Sequence, residues 1–468
     1  MSSPASAAAP AAPAAPAADT AAPVLGTDGE RYLIPKIKCP KSAYEIYLIL
    51  KSDGKVLYLV GGAVRDAAIA FHKGLEPKKP HDFDFATNAT PEQILLLFAN
   101  YPNYKVEVTG DAFPVVRIKV LATGDEFEIA TFREDVYDGL DRKTATVTTE
   151  GVTAKGDAQR RDLTINALFY DLETDEIIDF VGGWDDIEAS IIRTVGNPAH
   201  RFDEDKLRIL RALRFAAKLG FRLEENLIAY LLLNPKNKLQ DLSFTRLRDE
   251  FKKGVESAIS PIHFLELLNE YNIFSEIFPG VKNINTVNFP ESNNWFIQLG
   301  HLLSNVALDD KKIDRLLKVT LAFTDVDITW AKFVQKILSV VPAISITLLG
   351  QYLDELFSVT ADKIQVVNIA NFLANYTTFV TTESDDIVPL RKSFEAQIYK
   401  QFETTLIENI LKNYCTLLGL DLTKAEKFLT FSLSVKGNDP RLGSDKKLFG
   451  EKIKEFETEL WKAHLSNQ

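Results

Sequence analysis

Hydrophobic and polar residues follow one pattern in the first part of the chain and another beyond it. Between residues 34 and 179, short runs rich in β-branched and aromatic residues are separated by turn residues, a pattern typical of strands. Pro91 directly after Thr90 predicts the start of a helix, because proline is favoured at the first helical position. These patterns predict one mixed sheet with a few helices. The expected strands cover residues 55–60, 81–86, 104–109, 115–121, 126–132 and 163–170, and a further helix is expected over 63–71.

From residue 185 onward, leucine and phenylalanine recur at spacings of three and four, as they do on the buried face of a helix. The expected helices cover residues 204–219, 242–255, 261–271, 312–323, 364–376 and 399–417. We therefore predict an α+β fold class, with an N-terminal mixed-sheet head followed by all-helical neck, body and tail domains. The predicted boundaries are 31–180 for the head, 181–255 for the neck and 256–468 for the body and tail.

Residues 1–30 contain a long Ala/Pro tract with almost no charge, and such a segment cannot bury a core. We expect it to be a disordered tail, because it lacks the arginines of a transit peptide and the leucine-rich centre of a secretory signal. The chain has no run of eighteen apolar residues, so no membrane partner is expected. Its two cysteines suit a reducing compartment, and the predicted location is the cytoplasm, with an organelle as an alternative.

The net charge of −11 argues against indiscriminate binding to nucleic acids. It leaves room for a nucleic-acid enzyme, because a local basic groove can neutralise phosphates while the rest of the surface stays acidic. Any affinity for RNA should therefore be focused on one surface and sensitive to salt.

A pair of glycines, Gly61 and Gly62, stands between a predicted strand and a predicted helix. Without side chains, they leave backbone N–H groups open to the approach of a phosphate. Arg65, one helical turn further on, would add a charge-assisted contact to a triphosphate. Alone, such a pair more often reflects turn geometry only.

Asp82 and Asp84 lie two residues apart on a predicted strand, so both carboxylates should point to one side. Phe83 and Phe85 would then point into the core. Two like charges held together are unfavourable unless a cation bridges them, and Mg²⁺ prefers carboxylate oxygens combined with substrate phosphates. A solvated acidic strand edge explains a lone pair of aspartates equally well.

Two further clusters combine basic and acidic residues. Arg160-Arg161-Asp162 precedes the predicted strand 163–170, and the predicted helix 204–219 carries Asp205 and Arg208. On a helix, a spacing of three places these two side chains together, where they offer an acceptor and a donor to the edge of a base. A salt-bridged surface helix is the alternative interpretation.

Five motifs occur in the order found in class II CCA-adding enzymes, a family that includes the bacterial poly(A) polymerases. The chain resembles this family over about residues 56–221, and the resemblance implies a polymerase β-like nucleotidyltransferase core. The motifs are Gly61-Gly62-Ala-Val-Arg65-Asp66, Asp82 with Asp84, Arg160-Arg161-Asp162-Leu-Thr-Ile-Asn166-Ala, Asp179-Phe-Val-Gly-Gly183 and Glu204-Asp205-x-x-Arg208.

The resemblance implies a role for each matching residue. Asp82 and Asp84 would be catalytic and bind the metal ions, with Mg²⁺ as the cofactor and Mn²⁺ as an alternative. Glu128 is our candidate for a third catalytic carboxylate, with Asp125 and Glu126 as neighbouring alternatives. The implied nucleotide-binding residues are Gly61, Gly62, Arg65, Arg161, Asp162, Asn166, Asp205, Arg208, Arg211 and Arg214.

Among these residues, Asp205 and Arg208 would act as an amino-acid template that selects CTP or ATP. Residues 132–142, with Arg133 and Asp135, resemble the flexible loop that full CCA-adding enzymes need to change from C to A. The implied activity is template-independent addition of C, C and A to tRNA 3′ ends from CTP and ATP, with release of pyrophosphate. The implied partners are the tRNA 3′ end and both nucleotides; the sequence predicts no oligomeric state.

Several alternatives stay open. An enzyme that adds only A would have the same core. A poly(A) polymerase is disfavoured, because Asp111-Ala112 stand where those enzymes carry basic residues, and the loop disfavours an enzyme that adds only C. A non-catalytic RNA-binding protein would be expected to lose one of the key aspartates or Arg208. A metal-dependent phosphohydrolase would need a downstream His-Asp pair, which the chain lacks.

Overall fold

A computed structural model describes most of the chain, with gaps. Three predicted features lie wholly or mostly outside the described residues. They are residues 1–28 of the predicted tail, most of the loop 132–142 and most of the predicted helix 312–323. The described residues are 29–80, 82–110, 114–136, 146–234, 238–239, 241–278, 295–304, 317–318, 323–340, 349, 352–353, 363–381, 387–395, 398, 404–431 and 449–466.

A mixed sheet of eight strands forms the centre of the first unit, which ends at Glu188. Its strands lie in the order β1-β10-β9-β2-β3-β6-β5-β4, and a separate hairpin pairs β7 with β8. Only β3 and β6 run parallel among the neighbours of the large sheet. The strands are β1 (Glu30–Leu33), β2 (Leu57–Val60), β3 (Asp84–Thr87), β4 (Tyr104–Thr109), β5 (Val115–Val120), β6 (Glu126–Thr131), β7 (Glu134–Val136), β8 (Thr146–Thr148), β9 (Phe169–Asp171) and β10 (Glu176–Asp179).

Helices of the first unit begin at the signals that the sequence provides. Thr90 caps the helix after it by accepting from the backbone N–H of Gln93, whose side chain accepts from the Thr90 N–H in return. Pro91 is the first residue of that helix, as predicted. The helices are α1 (Lys41–Ser52), α2 (Gly62–His72), α3 (Pro91–Phe98), α4 (Ala154–Gln159) and α5 (Gly183–Glu188).

The predicted strand over 163–170 is wrong for most of its length. A short 3₁₀ turn covers Thr164–Asn166, and the strand β9 begins only at Phe169. The hydroxyl of Thr164 donates to the buried carboxylate of Asp186, and Gly183 packs directly on the Thr164 backbone. The run of apolar residues therefore shows that this segment is buried on all sides. A buried strand and a packed turn are both buried in this way, so the run does not distinguish them.

The second unit begins at Ala189 and is mostly helical. It opens with a short parallel pair, β11 (Ile191–Ile192) and β12 (Arg222–Leu223). An eight-stranded mixed sheet followed by helices confirms the predicted fold class; the division into neck, body and tail stays a prediction. The helices are α6 (Pro198–Glu204), α7 (Leu207–Leu219), α8 (Glu225–Leu233), α9 (Phe244–Ser257), α10 (Pro261–Glu270), α11 (Phe274–Ile277), α12 (Trp295–Ser304), α13 (Asp325–Val340), α14 (Lys363–Thr381), α15 (Val388–Phe394), α16 (Thr404–Leu418), α17 (Leu422–Thr430) and α18 (Phe449–Ser466).

An aromatic-rich core holds the last helices of the second unit together. Trp330, Tyr376, Tyr414, Phe428 and Trp461 are all completely or almost completely buried in it. Within the described part of the chain, no helix has the length and apolar character needed to cross a membrane.

Candidate active site

The glycine turn lies directly beside one of the predicted catalytic aspartates. Val60, the last residue of β2, pairs with Asp84, the first residue of β3. Gly61 then adopts a φ of +73°, a conformation that glycine takes far more readily than other residues. A Cβ atom at Gly61 would lie 3.5 Å from Oδ2 of Asp84. The Asp84 carboxylate therefore rests against the turn that leads into α2.

Three carboxylates gather at this end of β3. Parallel pairing places Asp84 opposite Glu128 of β6, while Asp82 precedes the strand. Phe83 and Phe85 are buried and both aspartates are exposed, which confirms the predicted alternation. Partial burial raises the pKa of Asp84, as do the negative charges of Glu128 and Asp82, whereas the positive charge of Arg161 opposes the rise. The cluster thus concentrates negative charge that a cation would relieve.

An open cavity of about 890 Å³ extends from these carboxylates. Arg117 of β5 reaches into its wall, where Nη2 lies 2.9 Å from Oε1 of Glu128. Lys79 also lines the cavity, so cations surround the carboxylates on this side. The lining residues are Pro40, Lys79, Pro80, Asp82, Phe83, Asp84, Arg117, Gly124, Asp125, Glu126, Phe127 and Glu128.

The described residues contain no group of three or more His, Cys, Asp or Glu side chains already arranged to hold a metal. Glu128 is ion-paired to Arg117, which leaves Asp82 and Asp84 as the other exposed carboxylates of the cluster. Two carboxylates completed by substrate phosphates are a usual environment for Mg²⁺. The donor set therefore fits a cation that enters with a nucleotide.

Below the glycine turn, Arg65 is almost fully buried, with 3% of its surface exposed. Its Nε donates to Asp66 at 2.8 Å, and its Nη1 donates to Oδ1 of Asn166 at 2.9 Å. Because Oδ1 of Asn166 faces this donor, its amide nitrogen points the other way. That nitrogen is buried and meets no acceptor among the described residues.

Arg161, two residues after the end of α4, also contacts Asn166. Its Nη1 donates to the backbone oxygen of Asn166 at 3.1 Å, and its guanidinium lies 4.9 Å from the ring centre of Phe169. The remaining nitrogens bind the buried carboxylate of Asp157, which also binds Arg160. Asp162 accepts from the N–H of Leu163 at 2.8 Å.

Of the two predicted loop residues, Arg133 is half-buried directly before β7. The backbone of Asp135 lies in β7, while most of the predicted loop lies outside the described residues.

In the second unit, the predicted single helix over 204–219 is wrong. The helix α6 ends at Glu204, Asp205 is extended with φ −151°, and α7 begins at Leu207. Oδ1 of Asp205 accepts from the N–H of Leu207 at 3.0 Å, which satisfies a free donor at the start of α7. The sequence periodicity continues through this break because both helices bury apolar residues on the same core.

The break also changes how the predicted base-selecting residues are held. Oδ2 of Asp205 lies 2.7 Å from Nη2 of Arg246 in α9. Arg208 pairs with Glu204 and donates to the backbone oxygen of Arg201 at 3.3 Å. Each residue therefore has an ionic partner outside the pair that the sequence suggested.

The two other predicted nucleotide-binding arginines lie further along α7. Arg214 is buried, pairs with Glu250 of α9 and lies over the ring of Phe215 at 4.3 Å. Arg211 is half-buried, with its guanidinium 5.9 Å from the same ring centre.

The sequence interpretation missed two residues at this site. Asp157 stands three and four residues before Arg160 and Arg161, a helical spacing that could have indicated the ion pairs. The pair between Arg117 and Glu128 depends on the register of β5 against β6, for which the sequence contains no local signal.

Comparison with known proteins finds similar sequences for the first part of the chain. Residues 57–193 match the family model described as the poly A polymerase head domain. Poly(A) polymerase I of Escherichia coli O6:H1 is 33% identical over 311 residues, which are 64% of this chain and 62% of that protein. The CCA-adding enzyme of Bacillus pumilus is 40% identical over 214 residues, 45% of this chain and 48% of that one. The matches to these relatives thus span at most about three fifths of their length.

A solved structure extends the similarity of the fold. The Bacillus stearothermophilus CCA-adding enzyme in complex with CTP superposes with a TM-score of 0.56 and 24% identity, covering 90% of this chain and 92% of that one. Residues 57–193 thus match the poly A polymerase head domain, and the chain is similar to poly(A) polymerase I and to CCA-adding enzymes and shares the fold of the solved CCA-adding enzyme.

Proposed function

We propose that this protein is a template-independent tRNA nucleotidyltransferase that adds C, C and A to tRNA 3′ ends from CTP and ATP. The observation that carries the proposal is the gathering of Asp82, Asp84 and Glu128 beside the Gly61 turn. Negative charge concentrated next to a turn that can approach a phosphate suits the transfer of a nucleotidyl group.

In this reaction, the 3′-hydroxyl oxygen of the RNA bonds to the α-phosphorus of the nucleotide. The bond from that phosphorus to the bridging oxygen breaks, pyrophosphate leaves and the hydroxyl proton passes to solvent. Asp82 and Asp84 would hold Mg²⁺, with Mn²⁺ as an alternative and Glu128 as a third carboxylate. A bound cation would lower the pKa of the hydroxyl and stabilise the departing oxygen.

The side chains around the turn would position the nucleotide. We assign Asn166 to the nucleotide as well, because its amide nitrogen meets no acceptor among the described residues. The positive charge of Arg161 opposes the rise in the pKa of Asp84, and we assign the same charge to the attraction of the triphosphate. Arg65, whose guanidinium binds Asp66 and Asn166, would support both the turn and that amide.

We assign base selection to the second unit, at the start of α7. Asp205 and Arg208 are both only half-buried there, so their polar groups can reach a base edge. Arg246 and Glu204 would hold the two side chains in place, which limits how each can turn. We also propose the boundaries given above for head, neck, body and tail, with tRNA bound by the body and tail.

Synthesis of poly(A) is the second candidate function. The E. coli poly(A) polymerase I matches a longer part of this chain than the Bacillus pumilus enzyme does, which favours this candidate. The higher identity to that CCA-adding enzyme favours CCA addition, as does the solved CCA-adding enzyme in complex with CTP, which covers nearly the whole chain.

A primer-extension assay tests the proposal. The protein is incubated with one tRNA transcript ending before C74, one ending before A76 and one complete, with CTP or ATP given singly and together. Addition that stops after CCA is the expected result. Unlimited addition of A to generic RNA would identify a poly(A) polymerase, and addition of a single A alone would identify an A-adding enzyme.

Substitution of the carboxylates tests the site itself. Asp82→Asn and Asp84→Asn should each lower incorporation at least about a thousandfold, because the nearest acceptors for a catalytic cation are lost. Circular dichroism should show that both variants stay folded. Asp53→Asn, an exposed aspartate at the end of α1, is the matched control and should keep full activity. Wild-type activity in either carboxylate variant would refute the assignment.

A further inference from the structure

Asp157 of α4 is a nearly fully buried charge that contacts Arg161, with 1% of its surface exposed. Its Oδ2 lies 2.9 Å from Nη2 and 3.2 Å from Nε of Arg161. Its Oδ1 lies 2.9 Å from Nε and 2.5 Å from Nη2 of Arg160. Burial acts to raise the pKa of Asp157, but the two arginines outweigh it and hold the pKa below its usual value. The carboxylate is therefore a fixed negative charge shared by two cations.

One side of this carboxylate determines where Arg161 points. With Nε and Nη2 bound to Asp157, Nη1 is directed at the backbone oxygen of Asn166, and the guanidinium lies over Phe169. In this position the positive charge of Arg161 opposes the rise in the pKa of Asp84 that burial and the neighbouring carboxylates cause. Asp157 thus orients an arginine whose charge acts on a candidate catalytic carboxylate.

The other side of the carboxylate holds the base of the β7–β8 hairpin. The N–H of Arg133, the residue before β7, donates to Oδ1 of Asp157 at 3.4 Å. Arg160 donates from Nε to the backbone oxygen of Arg133 at 3.1 Å. The carboxylate of Glu134 packs directly on Gly156 in α4, where a side chain would have no room. Both backbone polar groups of Arg133, the residue directly before the hairpin, are therefore hydrogen-bonded.

We propose that Asp157 is a positioning residue that orients Arg161 toward the incoming nucleotide and fixes the base of the β7–β8 hairpin. One buried charge then connects the hairpin to nucleotide binding. This inference rests on the proposed function, because Arg161 is assigned to the nucleotide there.

The replacement Asp157→Asn tests the proposal, since it keeps the shape of the side chain and removes its charge. Arg161 loses its ionic partner, so the KM and the equilibrium Kd for CTP and ATP should rise about tenfold. Because the hairpin base is also released, addition of the final A should fall more than addition of C. Backbone amides of residues 134–136 and 146–148 should exchange with solvent faster.

A double-mutant cycle separates positioning from general stabilisation. If Asp157 acts through Arg161, Asp157→Asn should raise the CTP Kd no further once Arg161→Met is present. Glu224→Gln is the control, because Glu224 is also a buried carboxylate but caps α8 in the second unit by accepting from the N–H of Leu227. The control should lower thermal stability and leave the CTP Kd unchanged.

A second variant keeps the proposal testable if Asp157→Asn does not fold. Arg160→Met removes the contact to the oxygen of Arg133 while the pair between Asp157 and Arg161 remains. It should accelerate amide exchange in the hairpin and leave the CTP Kd unchanged.

Additive effects in the cycle, or unchanged exchange in both variants, would overturn the proposal. Failure of the wild-type chain to incorporate nucleotides would instead refute the proposed function. The exchange measurement needs no activity, so the two failures can be distinguished.

Discussion

At the scale of single residues, the candidate site works against the stability of the folded chain. The pKa of Asp84 is raised by partial burial and by two neighbouring carboxylates, so its ionised form is disfavoured in the folded protein. Such an arrangement persists when the charge is needed for function. The instability and the proposed cation site are thus two consequences of the same geometry.

This geometry predicts how stability responds to pH without metal. A raised folded-state pKa means that stability is greatest below the unfolded-state pKa and is lost as pH rises through the folded-state pKa. In EDTA at pH 7, Asp84→Asn should therefore have a higher Tm than the wild type. The difference should shrink as the pH falls from 7 through the raised pKa of Asp84, where the carboxylate of the wild type becomes protonated.

Differential scanning calorimetry over this pH range measures the effect. Mg²⁺ should then raise the Tm of the wild type more than that of the variant. A variant that is less stable than the wild type in EDTA at pH 7 would contradict the electrostatic account.

How far the sequence predicts single residues depends on how local their partners are. Asp82, Asp84 and the glycine pair are recognisable because their spacing along one strand or turn fixes their geometry. The role of Arg117 is not recognisable, because its partner Glu128 faces it across a strand pair. Asp157 lies between these cases: its helical spacing is local, but its contact with Arg133 is not.

At the scale of elements, the sequence predicts the periodicity of helices and strands well, but it predicts breaks within them poorly. The start of α2 follows from the glycine turn, and the start of α3 follows from a proline. The span of β4 follows from the alternation of its residues. The break between α6 and α7 combines a local contact with a distant one, because Asp205 accepts from the N–H of Leu207 and also pairs with Arg246 of α9. The sequence shows the aspartate but gives no indication of its distant partner.

A buried ion pair joins α7 to α9 and predicts a stability effect. Arg214→Met would leave Glu250 charged and unpaired in the interior, which should cost about 3–5 kcal/mol. The double variant Arg214→Met with Glu250→Leu should recover most of this loss, because no charge is then buried alone.

Urea denaturation monitored by circular dichroism measures both effects. A double variant as unstable as the single one would show that packing, and not charge pairing, explains the loss.

At the scale of the whole molecule, an acidic chain is proposed to act on an acidic polymer. With a net charge of −11, non-specific attraction to RNA is weak, so binding must come from a limited set of lysines and arginines. This differs from proteins that bind nucleic acids through overall positive charge. It favours selection of an RNA by shape and end, as tRNA recognition would require.

Salt dependence tests this picture. The logarithm of the Kd for tRNA should increase linearly with the logarithm of salt concentration, with a slope of about 0.7–0.9 for each phosphate neutralised. We expect a slope of about 3–5, corresponding to a few contacts. Fluorescence anisotropy with labelled tRNA measures it, and a DNA duplex of equal length serves as control. Equal affinity for tRNA and duplex would contradict focused binding.

The parallel pairing of β3 with β6 has a consequence for how this protein can change over generations. Asp84 and Glu128 face each other because the two strands are in register, and a shift of one residue turns every side chain to the opposite face. Inserting or deleting one residue in β6 would therefore remove Glu128 from the cluster and place polar residues in the core. Substitutions in β6 should therefore be tolerated more readily than a change in its length.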